Sequence, residues 1–298
     1  MRTDSSTPII FDRQLLRARL QRLQNQDIPD FLQLRTAEDL TDRLLIIKRP
    51  FERSLDLSLL MTDYSAAVCA SGRSKPLTAN LISGNVIADE EKLPFREGSF
   101  DLIVSGLSLQ WINDLPGALQ QIRHLLAPDG FFIACLIGGL SLIELRTVFA
   151  QAEEEITGGV SPRVSPFVEI KDLGHLLQRA GFALPVTDVD SFSIRYNSLV
   201  DLMLDLKKMG AGNILSRRSR KPMRRDVILR ASEIYAERFS DQDGRIRASF
   251  EIMWLAGWAP HVSQQQPAKP GSGQFSLEKS INRASCKTLD VLSAQNTL

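Results

Sequence analysis

Three cysteines in 298 residues are few, and their number is odd. Cys69, Cys135 and Cys286 show no metal-ligand spacing. A disulfide framework and a metal site of the zinc type are therefore excluded, and a reducing compartment is expected. Charge of one sign is lacking too, with a net charge of only +1. A general nucleic-acid binder needs clustered Lys and Arg, so no nucleic-acid partner is expected. Long apolar runs are missing as well. None approaches the roughly 20 residues that cross a bilayer, so no transmembrane segment is expected. No Ser-His-Asp set and no phosphate loop is present. His124 and His175 fall on expected helices, where a structural role is the ordinary one.

The 43% of residues that are hydrophobic suffice for one large α/β domain with insertions or two small domains. Asp4 and Ser5-Ser6-Thr7 precede any apolar run, which is not the order of a secretory signal. Residues 13–22 are basic like a transit peptide, yet Leu15, Leu16, Leu20 and Leu23 recur at helical spacing. A first helix from about Asp12 to Gln24 is expected, and a second from near Asp30 past Leu40 with Phe31, Leu34 and Leu40 on one side. Ser54–Leu57 reads as a short strand. The stretch to residue 80 is weakly patterned, and Val86-Ile87-Ala88 is a second short strand. Phe100–Ser105 is a near-continuous apolar run, as a parallel strand buried on both faces requires. Leu115, Leu119, Ile122 and Leu126 mark a helix, Pro128-Asp129-Gly130 a turn, and Phe131–Ile137 another buried strand.

Further on, Leu173, Leu176, Leu177 and Ala180 form a helical stripe that Gly181 suits to cap. Phe192, Ile194 and Tyr196 alternate as in a half-exposed strand. Leu199–Leu206 and Val227–Tyr235 read as helices. Ile246, Ala248, Phe250, Ile252 and Trp254 alternate as a strand that Gly257 and Pro260 would end. Residues 261–298 are rich in Gln, Pro, Ser and Gly and read as a disordered tail. The whole is an α/β chain with a mostly parallel sheet, divided into a helical extension (1–50), a main domain (51–260) and the tail. Ligands of such sheets bind at the carboxyl ends of the strands, which sets Asp56, Asp89, Glu90 and Ser105 along one edge.

Those strand ends carry a family resemblance. Leu55-Asp56-Leu57, Ala88–Phe95 and Ser99–Ser105 resemble the successive signatures of class I S-adenosylmethionine-dependent methyltransferases. Leu109–Pro116, Glu144-Leu145-Arg146, Ser161–Phe167, Met209–Asn213, Gly257–His261 and the early Phe11-Asp12-Arg13 resemble the mitochondrial complex I assembly factor 5 family and its bacterial relatives. That family is a sister of the malonyl-carrier-protein methyltransferases of biotin synthesis. The resemblance implies a Rossmann-like, mostly parallel seven-stranded sheet with helices on both faces and a helical N-terminal extension. It implies S-adenosylmethionine as cofactor, near Asp56, Ser58, Asn80, Asp89, Glu90 and Ser105.

Two departures stand out. The family's glycine-rich turn is replaced by Ser58-Leu59-Leu60-Met61-Thr62-Asp63, and no glycine follows until Gly72. Asn80 stands where an acid would hold the ribose, a loss on the order of 1–3 kcal/mol of charge-assisted hydrogen bonding. The expected function is that of a methyltransferase-family protein with a degenerate cofactor loop. The alternative is an assembly-factor-like protein that binds a respiratory complex I subunit, with arginine hydroxylation in place of methyl transfer. Malonyl-carrier-protein methylation is a third reading. Trp111 and Asn113 are substrate or partner candidates, and Arg163, in a proline-flanked loop, is a candidate for an anionic group. Arg217, Arg218, Arg220, Lys221, Arg224 and Arg225 are either a solvated face or a dock for an acidic partner. The expected compartment is the bacterial cytoplasm, or the mitochondrial matrix in a eukaryote.

Overall fold

The computed structural model describes residues 8–24, 31–59, 62–266, 271, 272 and 276. Most of the expected tail, Cys286, and Leu60 and Met61 of the altered turn lie outside the described residues. The chain to His261 clusters as one unit, and the residues from Val262 form a second. Among the described residues no helix is long and apolar enough to cross a membrane.

The first unit opens with α1 (Arg13–Leu23), capped by the Asp12 carboxylate on the Leu15 N–H, and α2 (Phe31–Ile46). Then come β1 (Ser54–Asp56), α3 (Thr62–Ala70), β2 (Leu77–Asn80), β3 (Val86–Ile87) and β4 (Phe100–Gly106). A short 3-10 turn at Leu109–Trp111 leads to α4 (Leu115–Leu125) and β5 (Leu126–Ile137). The rest is α5 (Ile143–Thr157), α6 (Ile170–Arg179), β6 (Ala183–Tyr196), α7 (Leu199–Lys208), α8 (Arg225–Phe239) and β7 (Ile246–Trp258). The seven strands lie in the order β3-β2-β1-β4-β5-β7-β6. The first five are mutually parallel, and β7 runs antiparallel to both of its neighbours. This is the Rossmann-like class I methyltransferase sheet.

Helices cover both faces. Leu40 and Leu44 of α2, Val68 of α3, Val148 of α5, Leu202 of α7 and Ile234 of α8 share one core with alternate residues of β4, β5 and β7. Leu119 and Ile122 of α4 and Leu173 and Leu177 of α6 fill the other. The central strand β4 is buried along nearly its whole length, which is why its sequence is apolar without alternation.

Several elements depart from their sequence expectations. Leu34 is exposed, and α2 instead buries Leu32, Ala37, Leu40 and Leu44, with Thr36 between them. The weakly patterned stretch contains α3 and β2. Helix α3 shows no stripe because much of its buried surface belongs to small residues, Ser65 and Ala67, beside Tyr64 and Val68. Helix α5 also went without an expected element. Leu145, Val148, Phe149 and Ala152 have the spacing, but Leu142 at its start is left-handed and offers no capping side chain. Strand β5 begins at Leu126, which already pairs with Phe100 before the register shifts. Gly257 lies inside β7, where a side chain would collide with Phe182.

Candidate functional site

The carboxyl ends of β1 to β4 form the edge where ligands of this fold bind. Asp56 ends β1 and is buried. Its two oxygens accept from the Ser58 N–H at 2.9 Å and the Ser65 hydroxyl at 2.7 Å. Burial raises its pKa, and those hydrogen bonds only partly offset the rise. Ser58 crosses to β4, its hydroxyl accepting from the Gly106 N–H at 2.7 Å. The Leu57 and Leu59 N–H groups donate to the Val104 and Gly106 carbonyls. The altered turn thus runs along the end of β4. Tyr64 of α3 lies over Gly106, where an added Cβ would fall within its ring.

Asn80 ends β2. Its Oδ1 accepts from the Ile82 and Ser83 N–H groups at 3.0 and 2.8 Å, and its Nδ2 donates to the Ser58 carbonyl at 3.3 Å. The side chain that replaces the ribose acid therefore closes its own turn. Asp56, Ser58 and Asn80 come together on the wall of a cavity of about 590 Å³ beside α3. Ser105 is not part of it. Its hydroxyl is buried within the sheet without a hydrogen-bond partner.

Asp89 and Glu90 follow β3, and the structure pairs them with Arg13 of α1. One guanidinium nitrogen lies 2.6 Å from each carboxylate, and another donates to the Trp111 carbonyl at 3.3 Å. Glu90 is 0% exposed and also accepts from the Ser108 hydroxyl. Burial alone would lower the Arg13 pKa, but Glu90 and then Asp89 outweigh it and hold the cation firmly charged.

Trp111 and Asn113 hold the segment ahead of α1. Asn113 Oδ1 accepts from the Ile10 and Phe11 N–H groups, both at 2.8 Å. Phe11 meets Trp111 edge-on, with centroids 5.9 Å apart. Residues 9–13 form a strap, tied on its other side by Asp12 N–H to Ile214 O and Ser216 N–H to Ile10 O. Beneath it Phe11, Leu16, Leu20, Leu59, Leu81, Ile82, Trp111, Ile214 and Leu215 make a third apolar cluster. Leu59, Leu81 and Trp111 follow the ends of β1, β2 and β4, so this cluster lies over the carboxyl edge. Arg163 is pinned by Glu153, with Nε to Oε1 at 2.7 Å, and it lines an apolar cavity of about 250 Å³ together with Trp111.

The six cofactor candidates are thus split between the cavity beside α3, the Arg13 pocket and the sheet interior. The carboxylates and amide expected at the cofactor already accept hydrogen bonds from the chain itself. Arg13 and Ser108 were not among the sequence candidates. Phe11-Asp12-Arg13 drew notice only as a family mark, and no local pattern announces a contact across 77 residues.

Residues 48–134 match the methyltransferase domain family. The arginine-hydroxylase NDUFAF5 of Danio rerio mitochondria is 37% identical over 288 residues, 90% of this chain and 88% of that protein. Its Homo sapiens counterpart is 38% identical over 92% of this chain and 84% of that protein. The malonyl-[acyl-carrier protein] O-methyltransferase of Methylovorus sp. (strain MP688) is 34% identical, over 64% of this chain and 62% of its own length.

Proposed function

The chain belongs to the family of the mitochondrial arginine-hydroxylase NDUFAF5, and from that premise we propose that it binds a protein partner and acts on an arginine of that partner. The observation that carries this reading is the extent of the match, 90% of this chain and 88% of the Danio rerio arginine-hydroxylase. At the ligand-binding edge Asp89, Glu90 and the Trp111 carbonyl hold the chain's own Arg13, and the Ser108 hydroxyl braces Glu90. Both carboxylates meet one nitrogen of the guanidinium while a second reaches the Trp111 carbonyl, a division of contacts that a planar fork allows. Trp111 and Arg163, on the adjoining cavity, would border the incoming segment.

The fold carries a general site for S-adenosylmethionine, and Asp56, Ser58 and Asn80 line an open cavity there. Asn80 and Asp56 are engaged by their own turns, and Asp89 and Glu90 by Arg13. Methyl transfer remains the second reading, supported by the methyltransferase-domain match and by the malonyl-carrier-protein methyltransferase. The extent of the matches weighs toward the first: 90% of the chain against 64% for the malonyl-carrier-protein enzyme. On this reading the partner is a respiratory complex I subunit, met in the bacterial cytoplasm or the mitochondrial matrix.

The test is affinity purification of the full chain from its native cell, followed by mass spectrometry of co-purified subunits. The expected result is a complex I subunit with one oxygen added to an arginine. A methylene added instead returns methyl transfer to first place, and recovery of no complex I subunit overturns the partner reading.

A further inference from the structure

A separate cavity of about 580 Å³ lies between the strap, helix α5, the loop 160–166 and residues 215–217. Arg146, Arg163 and Arg217 line it, and no acidic residue does. The three differ in how far they are neutralised. Arg163 is paired with Glu153. Arg146 donates to the Ser165 carbonyl at 2.8 Å, but its Nε is buried without a partner. Arg217 is exposed and makes no hydrogen bond or ion pair among the described residues. The basic run continues outward from it. Arg218 and Arg224 are matched by Asp12 and Asp226, while the Arg220, Lys221 and Arg225 side chains make no ion pair. The rim is apolar, with Ile9 71% and Val160 58% exposed.

We propose that this groove docks an acidic segment of the partner protein, with carboxylates at Arg217 and Arg146 and an apolar side chain between Ile9 and Val160. The charge complementarity is one-sided: no acid lines the recess, Glu153 neutralises Arg163 from behind, and Arg217 at the mouth has no ion-pair partner among the described residues. A lipid surface is flat and cannot enter a recess of this kind. Nucleic acid would leave the apolar rim unmatched. The assignment of the occupant to a protein rests on the partner reading above; the groove's preference for carboxylates does not.

Fluorescence anisotropy on the full chain tests it. The probes are a fluorescein-labelled peptide of alternating glutamate and leucine, and the same peptide with glutamine for glutamate. Vesicles of phosphatidylglycerol and a single-stranded DNA oligomer serve as competitors. The expected result is saturable, salt-sensitive binding of the glutamate peptide alone. Arg217→Glu should weaken it about tenfold or more. Arg217 is exposed and unpartnered, so the variant keeps its fold, which circular dichroism verifies; Ile9→Asp is the second variant and should weaken binding from the apolar side. Equal binding of the glutamine peptide, no binding, unchanged affinity in both variants, or displacement by vesicles or DNA with no return on adding peptide overturns the proposal. Native purification with Arg217→Glu separates the two readings. Partner recovery undiminished by the variant sinks the groove alone, and recovery of none by the wild type sinks the partner reading alone.

Discussion

Arg13 carries two carboxylates on one guanidinium nitrogen, and one of them, Glu90, has no contact with solvent. Removing the cation would leave that charge buried without its partner. Arg13→Gln should therefore destabilise the fold by about 3–5 kcal/mol, measured by urea denaturation. Arg13→Lys keeps the charge but loses the fork, and should fall between the two. Glu153 makes a pH prediction. Burial pushes its carboxyl up, but the Ser161 N–H, then Arg163, outweigh that and hold it below the usual range. A lowered pKa contributes stability that is complete above the unfolded-chain value and is lost as pH falls through the folded one. Thermal melts of the wild type should fall on acidification across that window, and Glu153→Gln should remove that part of the slope. Asp56 has the opposite sign. Its carboxyl is held above the usual range, so its ionisation costs stability as pH rises from the unfolded value through the folded one.

At the level of elements, α3 and β4 meet without a gap. The Tyr64 ring lies on Gly106, and its hydroxyl shares a 2.6 Å hydrogen bond with Thr36 of α2. Gly106→Ala should cost about 1–3 kcal/mol by overpacking. Tyr64→Phe should cost about 1 kcal/mol through the lost hydrogen bond. Combining Gly106→Ala with Tyr64→Ala should cost less than the sum of the single changes in a denaturation cycle, because the two share one space. This contact also shows what the sequence made legible. Strands β4 and β7 could be read from it because burial on both faces, or on one, imposes a run or an alternation on the residues. Helix α3 could not, because two of the four buried among its described residues, Ser65 and Ala67, are small and carry little hydrophobic signal. The strand ends bearing Asp56 and Asp89 were legible for the same reason as the strands, whereas Asn80 was marked only by the family resemblance. Their partners were not: Arg13, Ser65 and Ser108 belong to other segments, and a single charge or hydroxyl has no period.

For the molecule as a whole, the bonds that the edge's acids and amide make within the chain set its response to the cofactor of its fold. A ligand that binds only the folded state raises the melting temperature by mass action. S-adenosylmethionine at millimolar concentration should leave the melting temperature of the full chain unchanged in a calorimetric scan. A clear rise would show that those bonds give way, and would revive methyl transfer. By itself the sequence determined the alternation of strands and helices, a mostly parallel sheet and the edge where ligands meet it, while the count of seven strands came from the family resemblance. These follow from burial, and burial is written locally as hydrophobic period. Tertiary structure alone decided what occupies that edge. The strap, Arg13 and the third apolar cluster come from segments far apart in the chain, and no local rule specifies which distant cation a buried carboxylate will meet.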